Sequence, residues 1–277
     1  TQSHQLAQPN LIHGLCFNTQ RRRAALRAKW LPHNGHTTKM CTLEERGNLF
    51  ILTLTGDDDH RLNPTLSTTI LNHLRQVKSQ ARRGSALITL SSGVFFSNGF
   101  DLAWAQKNSA GSETKAQDLL FDMLVLLKQV VFEMMSLPIP TVAAVNGHAA
   151  AAGMVLALSH DYVLMRSDRG VFYMPEIDLG MVLPHYFTAL FEDRISAFVI
   201  RRDLLLGGRK MRGKEAVRIG LVESVHDSEE DLFKSAFSKA EGLSKKGWNG
   251  EIYTNIRMTL YPQLVTALSL NPPKSKI

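Results

Sequence analysis

One stretch, residues 138–165 (PIPTVAAVNGHAAAAGMVLALSHDYVLM), constrains this chain more than any other. Thr141 to Val145 is an apolar run of strand length, entered through the stiff Pro138-Ile139-Pro140 and stopped by Asn146-Gly147. Asn-Gly marks a turn because both residues tolerate positive φ. Four alanines (Ala149 to Ala152) and Gly153 follow, and then a helical run from Met154 to Leu158. Side chains so small cannot fill a core. They either permit tight helix packing or leave the backbone open to something else. The first N–H groups of a helix lack intrahelical partners and carry the positive end of its dipole. Strand, tight turn and bare helix start together suit an oxygen that bears negative charge.

A second stretch has the same grammar. Ala86 to Leu90 (ALITL) reads as a buried strand, followed by Ser91-Ser92-Gly93 and then FFSNGFDL at 95–102. Gly99 is free to take a special backbone angle and Asp101 suits a helix cap. Two such turns can each present an N–H to one carbonyl oxygen. FFSNGFDL resembles the F-S-x-G-x-D-L segment of the enoyl-CoA hydratase/isomerase (crotonase) superfamily. PTVAAVNGHAAAAGMVLALSHDY resembles that family's P-x-I-A-A-V-x-G-x-A-x-G-G-G-x-x-L-A-x-x-x-D segment. The resemblance runs from about Leu49 to Val225.

The resemblance implies an α/β fold, a crotonase-like spiral of ββα turns with a C-terminal helical region. It implies an oxyanion hole from the backbone N–H groups of Phe100 and Ala152, with Asn98, Gly99 and Gly147 shaping the substrate site. His60-Arg61-Leu62-Asn63-Pro64 resembles the family's N-x-L-N loop, which places Arg61 and Leu62 beside the CoA arm; a plain surface arginine is the other reading of Arg61. Glu176, in P-E-x-x-L-G, resembles the segment that supplies a catalytic glutamate. A carboxylate in an apolar pocket has a raised pKa and is a better base near neutrality. Asp178, two residues on, is its weaker rival.

Hydratases of the family carry a second glutamate on the helix after the oxyanion turn, and alignment puts Val155 there. One base without a water-orienting partner suits double-bond migration from 3-enoyl-CoA to 2-enoyl-CoA. Ala152 in place of the usual glycine keeps the N–H but narrows the approach. The alternatives are a hydratase, an acyl-CoA hydrolase, or a non-catalytic member that binds acyl-CoA or RNA. The CoA thioester is then the substrate, and neither cofactor nor metal is expected.

Composition narrows the class. At 277 residues and 44% hydrophobic, the chain can bury a substantial core. No apolar run reaches the ~18–20 residues of a membrane span, so a soluble protein is expected. Cys16 and Cys41 are the only cysteines, which excludes a disulfide framework. The net charge is +7, but residues 1–39 hold six Lys/Arg and no acid, and the rest balances to +1. Nucleic-acid binding is therefore disfavoured. Residues 1–39 read as a disordered basic extension, either an organellar leader or upstream sequence. Residues 40–195 read as the spiral core and 196–277 as the C-terminal helical region, used in the family for assembly into trimers or hexamers.

Several motifs are set aside. Asp57-Asp58-Asp59 reads as a solvated turn rather than a metal site, since neighbouring residues point apart. Ser159-His160-Asp161 cannot converge on one atom as a triad must, and Asp161 is expected to end or cap local structure. Residues 208–215 fall short of a P-loop because Glu215 replaces the Ser/Thr; Lys210 and Lys214 remain possible contacts of CoA phosphates. A strand is expected over 43–55, helices over 64–80, 119–137, 201–206 and 213–219, a mobile loop over 103–117, and amphipathic helices over 229–246 and 251–268. Met123, Met134 and Met135 are expected to line core or acyl channel. Ser275-Lys276-Ile277 resembles the Ser-Lys-Leu peroxisomal address and implies an import receptor as partner. The basic leader points to mitochondria instead, and the peroxisome is favoured.

Overall fold

The computed structural model describes residues 40–269. Residues 1–39 with Cys16, and the terminal tripeptide, lie outside them. The chain opens with an antiparallel hairpin, β1 (Cys41–Arg46) and β2 (Leu49–Leu54), turning at Gly47-Asn48. The single strand expected over 43–55 is thus two, because Gly47 takes a positive φ of 62° and reverses the chain. Helix α1 (Pro64–Gln80) crosses over to β3 (Ala86–Ser91). Asn63 caps it by accepting from Leu66 N at 3.0 Å, and Pro64 at the first position needs no N–H partner. Leu66, Ile70, Leu74 and Val77 face inward and are buried, each stabilising the fold by ~1.5–3 kcal/mol.

Three repeats then follow. β3 leads to β4 (Phe95–Ser97) and the helices α2 (Leu102–Asn108) and α3 (Glu113–Met135). β5 (Thr141–Val145) leads to β6 (His148–Ala150) and α4 (Ala152–Leu158). β7 (Tyr162–Arg166) leads to β8 (Val171–Tyr173) and the single turn α5 (Glu176–Leu179). In each repeat the first strand joins a six-stranded sheet, ordered β1-β2-β3-β5-β7-β10, and the second joins a four-stranded sheet, β4-β6-β8-β9. This alternation is the ββα spiral. β2, β3 and β5 are buried along their whole length, as parallel strands covered on both faces must be.

Residues 103–117 are not a loop. Asp101 accepts from Trp104 N at 2.9 Å and Ser112 from Lys115 N at 3.3 Å. These caps start two helices, with only Ser109 to Ser112 between them. Met123, Met134 and Met135 of α3 sit in the core.

The C-terminal part contains α6 (His185–Arg194), α7 (Phe198–Leu205), α8 (Gly213–Arg218), α9 (Glu229–Ser244), α10 (Gly250–Leu260) and α11 (Pro262–Ser269). It is not purely helical. β9 (Met211–Arg212) pairs antiparallel with β8, and β10 (Ser224–His226) pairs parallel with β7. Both sheets therefore end on strands from this part of the chain. Residues 251–268 split at Tyr261-Pro262, since proline cannot continue a helix.

Asp161 anchors that region. Its carboxylate accepts from Arg257 Nε at 2.6 Å and Nη2 at 2.7 Å, and from Thr141 N at 2.9 Å. Arg257, 3% exposed, also donates to the carbonyls of Met135, Leu137 and Ile139. One buried cation thus ties α10 to the end of α3 and the start of β5. Ser159 and His160 turn elsewhere. Ser159 Oγ donates to Val155 O at 2.7 Å, and His160 Nε2 meets Thr89 Oγ1 at 2.7 Å. No triad forms, as the sequence implied.

Candidate active site

β4, β6 and β8 lie side by side and parallel, so their carboxyl ends open along one edge, where ligands of parallel sheets commonly bind. Within three residues of those ends stand Phe100, Ala152 and Glu176. Neighbouring strands are ~4.8 Å apart, so the Ala152 turn lies between the other two.

Leu62 orients the first amide. Leu62 N donates to Gly99 O at 2.7 Å, and Asp101 N donates to Leu62 O at 3.2 Å, a parallel bridge centred on Phe100. In that pattern the Phe100 N–H points away from Leu62. The second amide belongs to Ala152, the first residue of α4, which by position has no intrahelical acceptor. The helix begins two residues earlier than the expected Met154. The two turns touch: a Cβ built on Gly99 would lie 2.9 Å from Ala151 Cβ and 3.5 Å from Ala152 N. With φ at +75°, residue 99 accepts only glycine without strain. Gly147 is fixed by close approach, since a Cβ there would meet Val94 O at 1.9 Å.

Ala151 is unusual. It sits at φ 50°, ψ −126°, angles like those of the first central position of a II′ turn, where glycine dominates. Its N–H donates to Tyr173 O at 3.0 Å, and its carbonyl accepts from Met154 N and Val155 N.

Glu176 follows β8 and is 7% exposed. Its Oε2 is buried without a hydrogen-bond partner among the described residues. Burial pushes its carboxyl from 4.5 up to about 7, against a smaller pull from its own backbone N–H. No charged neighbour contributes to that displacement. Asp178 is exposed and its carboxylate lies toward Gly208, so it is no rival base. Val155, fully buried on α4, brings no carboxylate.

The acidic turn is more structural than its sequence suggests. Asp59 Oδ2 accepts from Arg61 Nε at 3.0 Å and from Asn98 Nδ2 at 3.2 Å. Asn98 N donates to Asp59 O at 2.8 Å, and Asp57 Oδ1 caps His60 N at 2.8 Å. His60, buried with Nδ1 3.0 Å from Phe95 O, was not singled out from sequence; its positive φ of 45° has no sequence signature. Arg61 remains half-exposed beside the site. Lys210 places its Nζ 5.3 Å above the Tyr173 ring, and the would-be P-loop, residues 208–215, holds the edge strand β9 and the start of α8. No group of three His, Cys, Asp or Glu side chains among the described residues could hold a metal, and no helix among them is long and apolar enough to cross a membrane.

The model of the enoyl-CoA hydratase/isomerase family matches residues 48–260. The chain belongs to that family. It is 55% identical to enoyl-CoA delta isomerase 2, peroxisomal, of Arabidopsis thaliana, over 83% of this chain and 96% of that one. Identity to enoyl-CoA delta isomerase 3 of the same plant is 50%, with the same coverage. Among solved structures, an enoyl-CoA hydratase from Mycobacterium marinum superposes with a TM-score of 0.71 at 18% identity, covering 83% of this chain and 95% of that one; at that identity the likeness speaks for the fold alone.

Proposed function

We propose that the chain is a Δ3,Δ2-enoyl-CoA isomerase, moving the double bond of 3-enoyl-CoA to the 2-trans position in β-oxidation of unsaturated fatty acids. The observation that carries this reading is Glu176, a buried carboxyl with one unpartnered oxygen and a proton affinity near neutrality, beside two turns that each offer an amide.

The thioester carbonyl accepts from Phe100 N–H and Ala152 N–H. Glu176 removes a proton from C2, the negative charge of the dienolate collects on the oxygen held by the amides, and the same acid returns a proton at C4. Each amide stabilises the developing charge by ~3–4 kcal/mol. The apolar Val155 leaves no second acid to orient water, which favours migration over hydration. Asn98, Gly99 and Gly147 hold the two turns in register, and the half-exposed Arg61 flanks the CoA arm; Leu62, fully buried, serves the site only through the backbone bridge that orients Phe100. The naming of relatives at 55% and 41% identity as peroxisomal isomerases supports a peroxisomal location. The exposed Ile252, Ile256 and Leu260 on α10 support self-association into trimers or hexamers.

The test offers purified protein 3-enoyl-CoA and 2-enoyl-CoA and follows double-bond migration, water addition and release of free CoA. Migration alone is expected. Hydroxyacyl-CoA as the main product would make the chain a hydratase, free CoA would make it a hydrolase, and no turnover would leave a binding protein.

A further inference from the structure

Resting on the isomerase reading above, the geometry points to Ala151 as a positioning residue whose methyl group, held in a glycine-type backbone conformation against Gly99, sets the spacing and direction of the two carbonyl-binding amides. Three observations converge on it. First, the residues preceding the two amides, Gly99 and Ala151, both have positive φ, 75° and 50°, so each amide takes its direction from a backbone torsion that L side chains avoid. Second, those residues meet back to back: the atom nearest to a Cβ built on Gly99 is the Ala151 methyl, at 2.9 Å, followed by Ala150 O at 3.1 Å. The methyl fills the space that two glycines would leave between the turns. Third, Ala151 is pinned on both sides, its N–H on Tyr173 O at 3.0 Å and its carbonyl on Met154 N at 3.0 Å and Val155 N at 3.2 Å. The conformation is therefore over-determined by its surroundings, the condition under which strained residues persist at working sites. Glycine would relax the torsion and open a gap between the turns, letting the amides drift from the oxygen they share.

The test is Ala151→Gly in the full chain. Turnover of 3-enoyl-CoA is measured together with thermal stability and the infrared carbonyl band of a bound saturated acyl-CoA, isotope-labelled at its carbonyl carbon. The variant is expected to melt at the same temperature or higher, since strain is removed. KM is expected to stay within about twofold while kcat falls roughly tenfold, the scale of a partly misplaced donor. The carbonyl band, shifted by the wild-type protein, is expected to move back toward its position in water. A merely structural alanine would leave both kcat and the band unchanged, and that result overturns the proposal. A band that the wild-type protein does not shift overturns the amide reading itself, and this inference with it; a shifted band that Ala151→Gly leaves in place overturns the inference alone.

Discussion

Replacing Glu176 with glutamine separates chemistry from stability in one variant. The wild-type carboxyl titrates at about 7 in the fold against an ordinary 4.5, and each tenfold change in proton affinity is worth ~1.4 kcal/mol. Between those pH values the folded protein binds more protons at this position than the unfolded chain, so stability falls as pH rises through the window. The full effect is about 3 kcal/mol, present above the folded pKa and absent below 4.5. Glutamine cannot ionise, so Glu176→Gln is spared the loss. His160 acts in the opposite sense. Burial holds its imidazole down at about 4 against 6.5, so its contribution is complete above 6.5 and is lost as pH falls. The two nearly offset in the wild-type protein, and the difference between variant and wild type is the informative quantity. Denaturant melts of both, across about pH 4 to pH 8, are expected to show the variant's advantage growing by about 3 kcal/mol, or 6–12 °C in Tm for a chain of this size. Over the same range the variant is expected to show no isomerase turnover. An advantage constant within about 0.5 kcal/mol would mean the carboxylate is hydrated in the fold, and would refute the desolvated-base argument.

Other outcomes follow from the same geometry. Arg257→Met leaves the largely buried Asp161 carboxylate without its cation and is expected to cost ~3–5 kcal/mol in a denaturant melt, whereas Glu44→Gln, in a half-exposed pair with Arg46, is expected to cost under ~1 kcal/mol. His160 donates from Nδ1 to the Leu156 and Ala157 carbonyls, so Nε2 accepts from Thr89; Thr89→Val orphans that acceptor and is expected to cost ~1–3 kcal/mol. The acid limb of kcat/KM in the wild-type protein is expected near the Glu176 value of about 7, with activity rising as the base form fills.

The parts of this fold visible in sequence are those written in short-range chemistry. Helix α1 starts at Pro64 where a first-position proline predicts it, and the Asn98-Gly99 and Asn146-Gly147 turns mark the ends of short strands. What escaped depends on contacts distant along the chain. Polar residues 103–117 look like a loop because α2 and α3 each bury only part of one face; their caps, Asp101 and Ser112, were the available signal. β9 and β10 are two and three residues long, too short for any periodicity, and exist because β8 and β7 offer open edges. Asp161 gives no hint of its partner, since Arg257 lies ninety-six residues away. Glu176 shows the same division at the site: the motif marks it, while its burial and its unpartnered oxygen come only from the packing around β8. The positive φ of Ala151 has no local signature at all, because the contacts with Gly99 and Tyr173 impose it.

The central claim is that one buried acid moves both protons, and isotope transfer tests it most directly. A 3-enoyl-CoA carrying deuterium at C2 is converted by the purified protein, and the 2-enoyl-CoA product is examined at C4. Transfer through Glu176 predicts that part of the label arrives at C4 on the face from which it left C2. Product whose C4 carries hydrogen from solvent alone, under every condition, would contradict a single shielded carboxyl and require a second group.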